Sequence, residues 1–144
     1  MTGKTQKEVK DYRLDEQAGY VLRRVTQRHL GIFSAAIADL TPPQFAALAR
    51  LAQMGPLSQN ELGRATSMDA ATIKGVIGRL KARSLVQTTK DGGDRRRLVI
   101  ELTDAGAKLF AHHAPLALAI SAETLAPLDR DEQMVFLALL SRLV

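Results

Sequence analysis

Residues 91–106 read DGGDRRRLVIELTDAG. The turn formers Asp91, Gly92, Gly93 and Asp94 stand between two short β-branched runs, residues 85–90 (LVQTTK) and 97–102 (RLVIEL), which is the pattern of a β-hairpin. Thr103 then caps a helix that starts at Asp104. Arg95, Arg96 and Arg97 therefore fall in a row at a narrow, exposed tip. Adjacent like charges repel, so such a tip suits a hairpin that meets an anion or an edge that must not pair with other chains. An arginine on a narrow loop fits a DNA minor groove, where a helix cannot enter and the negative potential is strongest. Asp94, two residues before Arg96, is placed to grip that guanidinium in a bidentate pair.

The charge around this hairpin is unusual. The chain of 144 residues has a formal net charge of +5. From Asp69 to Arg97 it carries eight basic residues (Lys74, Arg79, Lys81, Arg83, Lys90, Arg95, Arg96, Arg97) against three acidic ones (Asp69, Asp91, Asp94), so this segment holds the whole excess. A basic field confined to one part of a small protein points to a polyanion; a solvated basic surface is the plainer alternative. There is no cysteine, which excludes disulfides, thiolate metal sites and cysteine nucleophiles. With 46% hydrophobic but only 4% aromatic residues, the Ala- and Leu-rich chain favours helices packed on helices. The N-terminus lacks an apolar signal core, and no later segment has the ~18 uninterrupted apolar residues of a membrane span, so a soluble cytoplasmic protein is expected.

Upstream of the hairpin the pattern is helical. Residues 1 to about 12 read as a polar lead-in. From Leu14 to Leu40 apolar residues recur at helical spacing, which predicts one long amphipathic helix. About 26 residues at 1.5 Å each would span ~39 Å, more than a compact chain of this size covers, so part of the stripe is expected to meet a second chain. Thr41 and Pro42 open a helix that ends at Gly55 and Pro56. Ser58 and Glu61 form a capping box, with Leu57 and Leu62 as its hydrophobic staple. After Asp69, another helix buries Ile73, Val76, Ile77 and Leu80 and leaves Ala70, Ala71, Thr72, Lys74 and Gly75 as a small, polar or basic leading face. Past the hairpin, Pro115 is expected to kink or interrupt the helix begun at Asp104. Asp129 and Glu132 make a second capping box for a last helix.

Two short helices whose second member exposes small and polar residues match a helix-turn-helix, although pairs of core helices can look the same. The basic hairpin just downstream supplies the wing. Asp94-x-Arg96, five residues, then Leu102-Thr103 and Gly106 resembles the wing signature of the MarR family of winged-helix regulators. Leu40-Thr41-Pro42-x-Gln44-Phe45-x-x-Leu48, Leu57-x-x-x-Glu61-Leu62 and Thr72-Ile73-x-x-x-Ile77-x-x-Leu80 resemble the family's second, third and recognition helices. One position departs from the pattern: Ser84 stands where the family usually has glycine, and a left-handed serine there costs ~1 kcal/mol or more.

The resemblance implies a mainly α fold with a small β-hairpin, a winged helix-turn-helix over residues 41–103 joined to an α-helical dimerisation region over residues 13–40 and 104–144. It implies a homodimer on a pseudo-palindromic operator in double-stranded DNA. On the matching positions Ala70, Ala71, Thr72, Lys74 and Gly75 face the major groove, Thr72 and Lys74 reading base edges. Arg79 and Lys81 reach phosphates, Arg96 enters the minor groove, and Arg95 and Arg97 are phosphate contacts or solvated neighbours.

Similar proteins are often repressors released by a small molecule. Residues 22–33, LRRVTQRHLGIF, place Arg24 and Arg28 one turn apart with His29 beside them, a set suited to a carboxylate or a coenzyme A phosphate. The pattern resembles regulators of aromatic-acid breakdown, which implies an aromatic acid or its CoA thioester as effector; solvent-facing or interfacial charges are the alternative. Neither an enzyme, a cofactor nor a metal site is expected: no nucleophile motif stands near a histidine, no glycine loop leads from strand to helix, and His112 and His113 face different ways. The competing reading is a helical dimeric interaction module whose basic face binds an acidic protein or RNA.

Overall fold

The structure, a computed structural model, describes residues 10–144. The lead-in read over residues 1 to about 12 lies, through residue 9, outside the described residues. The elements run α1 (Ala18–Ala36), α2 (Pro42–Met54), α3 (Gln59–Ala65), α4 (Ala70–Ala82), β1 (Val86–Lys90), β2 (Leu98–Leu102), α5 (Asp104–Leu125) and α6 (Arg130–Ser141). The chain divides into two compact units: Phe33–Glu123, and the described residues before Phe33 together with Thr124–Val144.

In the second of these, α1 starts later than its apolar spacing predicts. Leu14–Glu16 form a 3-10 turn, and Gln17 is extended (φ −87°, ψ 128°) with its side-chain amide donating to the Arg13 carbonyl at 2.9 Å. That local bond competes with the helix. At the other end, Thr41 must be extended to cap α2 (φ −84°, ψ 159°), and Pro42 disfavours helix before it. The 19 residues of α1 span only ~28 Å, so the length argument for a second chain lapses. Val21, Leu22 and Val25 on α1 and Met134, Val135, Leu137 and Leu139 on α6 are all exposed. The α6 capping box forms as expected, with Asp129 and Glu132 exchanging bonds of 2.9 Å.

The unit Phe33–Glu123 holds the core. Ile37, Leu48, Leu62, Ile73 and Leu80 are fully buried, each removing enough apolar area for ~2 kcal/mol of transfer free energy. Helix α2 opens with a complete capping box, Gln44 N–H to the Thr41 hydroxyl and Thr41 N–H to the Gln44 side chain. It closes at Gly55, whose φ of 78° places it where L side chains are strained. The box at α3 is half formed: Ser58 Oγ accepts from Glu61 N–H at 3.2 Å, while the Glu61 carboxylate takes the Ser58 hydroxyl and turns toward Arg97 instead of the cap amide. Leu57 and Leu62 are buried, as the staple requires.

Strands β1 and β2 pair antiparallel with Thr88 opposite Ile100. Leu57 adds a one-residue third strand, its N–H donating to Ile100 O at 3.1 Å and its carbonyl accepting from Ile100 N–H at 2.7 Å. Helix α5 runs through Pro115 without interruption, contrary to one of the two expected outcomes. Proline forfeits one backbone bond, and the burial of His113 and Ile120 on either side holds the helix together across it.

Ser84 is left-handed (φ 58°), directly after the C-cap of α4. Its amide donates to Lys81 O at 2.9 Å and Leu85 N–H to Leu80 O at 3.0 Å, so the conformation closes the helix. Ser84→Gly is therefore expected to stabilise the protein by about 1 kcal/mol. A thermal midpoint that fails to rise would show that the serine side chain compensates for its backbone.

Candidate nucleic-acid interface

Asp69 starts α4, its Oδ1 accepting from Thr72 N–H at 2.7 Å. The Thr72 backbone and side-chain hydrogen bonds hold the Asp69 carboxyl below its ordinary pKa. Ile73, Val76, Ile77 and Leu80 are buried along one face. At about 3.6 residues per turn the opposite face centres on Ala71, Gly75 and Gly78, with Lys74 and Arg79 flanking it and Ala70, Thr72 and Lys81 at its margins. All eight are exposed. Gly78 is absent from the residues picked out by sequence, although its spacing of seven from Ala71 was the available signal. A strip this small lets another surface approach the helix backbone, with cations on both sides.

The wing joins β1 to β2 through residues 91–97. Asp91 N–H donates to Arg97 O at 2.8 Å, and Arg97 N–H to Asp94 O at 3.0 Å. The expected grip of Asp94 on the Arg96 guanidinium is not what forms: Asp94 Oδ1 accepts from the Arg96 backbone amide at 2.9 Å. A short aspartate reaches the amide two residues on more readily than the end of a long side chain. Asp94 thus orders the loop, not the side chain. Arg95 and Arg96 are exposed, whereas Arg97 is half-buried and pairs with Glu61 and, at 3.6 Å, with Asp91.

The C-terminal end of α4 is tied down by residues that sequence reading missed. Arg83 Nη1 donates to the Asp39 carbonyl at 2.5 Å, with Nη2 3.7 Å from Asp39 Oδ2. His113 Nε2, on a buried side chain, lies 2.9 and 3.1 Å from the two Asp39 carboxylate oxygens. Burial works to raise the Asp39 carboxyl, but the His113 hydrogen bond, the Asp39 backbone and the pull of His113 and Arg83 outweigh it and hold the pKa below its ordinary value.

The residues expected to bind an effector are only partly brought together. Arg28 Nη1 donates to Thr124 O at 2.5 Å, and His29 Nδ1 lies 2.8 Å from the Thr124 hydroxyl. Arg24 sits over the Tyr20 ring, 5.8 Å from its centroid. Thr124, 95 residues from His29, carried no sequence signal. The same unit has an open apolar groove of about 500 Å³ lined by residues including Val21, Leu22, Phe136, Leu139 and Leu140. Among the described residues no group of three or more His, Asp or Glu could hold a metal, and no helix is long and apolar enough to cross a membrane.

Comparison with known proteins agrees with this geometry. The MarR family model matches residues 38–97. The transcriptional repressor NicR of Pseudomonas putida is 44% identical over 92% of this chain and 85% of its own. A crystal structure of a probable transcriptional regulator from Pseudomonas aeruginosa is 47% identical and superposes with a TM-score of 0.88 over 92% of this chain and all of the other. BpsR of Bordetella bronchiseptica, whose DNA binding is regulated by 6-hydroxynicotinic acid, is 38% identical with a TM-score of 0.86 over 92% of this chain and 96% of its own. These relatives are regulators and not enzymes. With its winged fold and near full-length similarity to them, the chain belongs to the MarR family of helix-turn-helix, DNA-binding transcriptional regulators.

Proposed function

We propose that the protein is a homodimeric repressor that binds a pseudo-palindromic operator and is released by an aromatic acid or its CoA thioester. The observation that carries this reading is the outward face of α4, two glycines and an alanine flanked by Lys74 and Arg79, beside a wing that exposes Arg95 and Arg96. Residues 41–103 form the DNA-binding lobe, and residues 13–40 and 104–144 the helical dimerisation region. Ala70, Ala71, Thr72, Lys74 and Gly75 meet the major groove, Arg79 and Lys81 reach phosphates, and Arg96 enters the minor groove. The exposed apolar side chains of α1 and α6 support the dimer, since an apolar stripe this long is otherwise left in water. For the effector, Arg28 and His29 on Thr124 supply polar groups suited to a carboxylate, and BpsR responds to an aromatic one.

The test is fluorescence anisotropy over a salt series, on DNA from upstream of the protein's own gene and on unrelated DNA of equal length. Specific binding should be ~10³-fold tighter. Arg96→Ala should weaken it roughly tenfold, within the span of a lost groove contact, without changing the dimer. Equal affinity of wild type and variant at matched salt would take Arg96 out of the groove. With 6-hydroxynicotinic acid as probe, Arg28→Ala should keep DNA binding but lose release; an unaltered response would exclude Arg28 from the effector site.

A further inference from the structure

We infer that Arg97 is a positioning residue, which with Glu61 and Asp91 clamps the wing to the first helix of the helix-turn-helix and so sets where Arg96 enters the groove. The inference rests on the DNA-binding reading and changes the part that Arg97 plays in it. Three observations support it. Among the three wing arginines only Arg97 is half-buried, and its guanidinium meets one carboxylate from outside the wing, Glu61 on α3, and one within it, Asp91. The Glu61 carboxylate has left the backbone half of its capping box to make this contact. The same stretch is already fixed to β2 by the Leu57–Ile100 bridge, so Arg97 is the second tie between one helix and one wing.

Electrostatics argues against Arg97 as a phosphate ligand. A cleft of about 350 Å³ beside the clamp is lined by Glu61, Asp91 and Glu101 as well as Lys90 and Arg97. Were Arg97 to swing out to a phosphate, Glu61 and Asp91 would lose a shared cation beside a polyanion. Glu101 is occupied elsewhere, accepting from the Gln87 amide at 2.9 Å. Keeping Arg97 in place neutralises the carboxylates and leaves Arg95 and Arg96 to face DNA.

Glu61→Gln separates the two roles, because glutamine still serves at this position of a capping box. It removes a negative charge near the DNA, so simple charge counting requires tighter binding; loss of the clamp requires weaker binding. Two measurements are made on the whole chain of 144 residues: amide hydrogen exchange of residues 91–97 without DNA, and anisotropy on the upstream duplex over a salt series. The expected result is faster wing exchange and affinity reduced about two- to fivefold, the range of a partly exposed ion pair. The swap Glu61→Arg with Arg97→Glu should restore both. Tighter or unchanged binding by Glu61→Gln overturns the clamp. So does an Arg97→Gln variant whose salt slope falls by about one phosphate contact while wing exchange stays at the wild-type rate. If wild type shows no preference for the upstream duplex, the operator reading fails on that DNA, and the exchange measurement still decides the clamp: faster exchange in Glu61→Gln supports it and an unchanged rate overturns it.

Discussion

Gly106→Ala is expected to destabilise the protein by about 3 kcal/mol or more, seen as a thermal midpoint lower by roughly 10 °C at fixed protein concentration. In an exposed helix the same change would stabilise by about 1 kcal/mol. Here the added methyl would collide with the Leu85 carbonyl oxygen and lie 2.9 Å from its carbon. Those are backbone atoms, so no side-chain rotation relieves the contact. The carbonyl is also committed, accepting from Thr103 N–H at 3.1 Å, and the neighbouring Ser84 carbonyl accepts from the Thr103 hydroxyl at 2.6 Å. That hydroxyl in turn caps α5 by accepting from Gly106 N–H at 3.1 Å. Moving α5 away would strain all three bonds, each worth about 1 kcal/mol. Gly78→Ala is the control, since a methyl there meets nothing within 4 Å. Equal midpoints for the two variants would refute the close approach.

Asp39→Ala should cost about 2 kcal/mol at neutral pH. It leaves His113, 7% exposed, without its carboxylate partner, and no second group compensates, because Nδ1 already has no hydrogen-bond partner among the described residues. The effect has a pH signature. The folded Asp39 pKa is below its ordinary value, so its contribution is fully present above the unfolded carboxylate pKa of about 3.9 and is lost as pH falls through that value toward the folded one. The gap between wild type and variant should therefore close as pH falls below about 4. A gap that persists unchanged to pH 2 would mean the loss comes from packing and not from ionised Asp39.

What could be read in advance follows from the range of the interactions. Caps and periodicities lie within four residues of each other, so Thr41, Asp69 and Asp129 announced their helices and Ile73 to Leu80 their buried face. The left-handed Ser84 was legible only through the family resemblance, which places glycine at that position. Contacts between distant residues left no mark: Asp39 and His113 are 74 apart, His29 and Thr124 are 95 apart, and the Leu57–Ile100 bridge joins segments on either side of α4. One local reading also failed where a distant partner outweighed the near one. Glu61 fits a capping box by spacing, but Arg97 draws its carboxylate away. The start of α1 failed for another reason, since apolar spacing from Leu14 says nothing about a side-chain bond that breaks the helix at Gln17.

The narrow face of α4 has a bearing on how an operator would be recognised. Ala71, Gly75 and Gly78 offer no hydrogen-bonding side chain, so on the proposed docking only Thr72 and Lys74 are left to question base edges from this helix. Two such side chains discriminate few base pairs. Much of the selection then passes to the bendability of the duplex and to the width of its minor groove where Arg96 would sit, features that sequences can share without sharing letters. A family of operators alike in flexibility and in half-site spacing, and loose in consensus, is the form of code that such a helix writes.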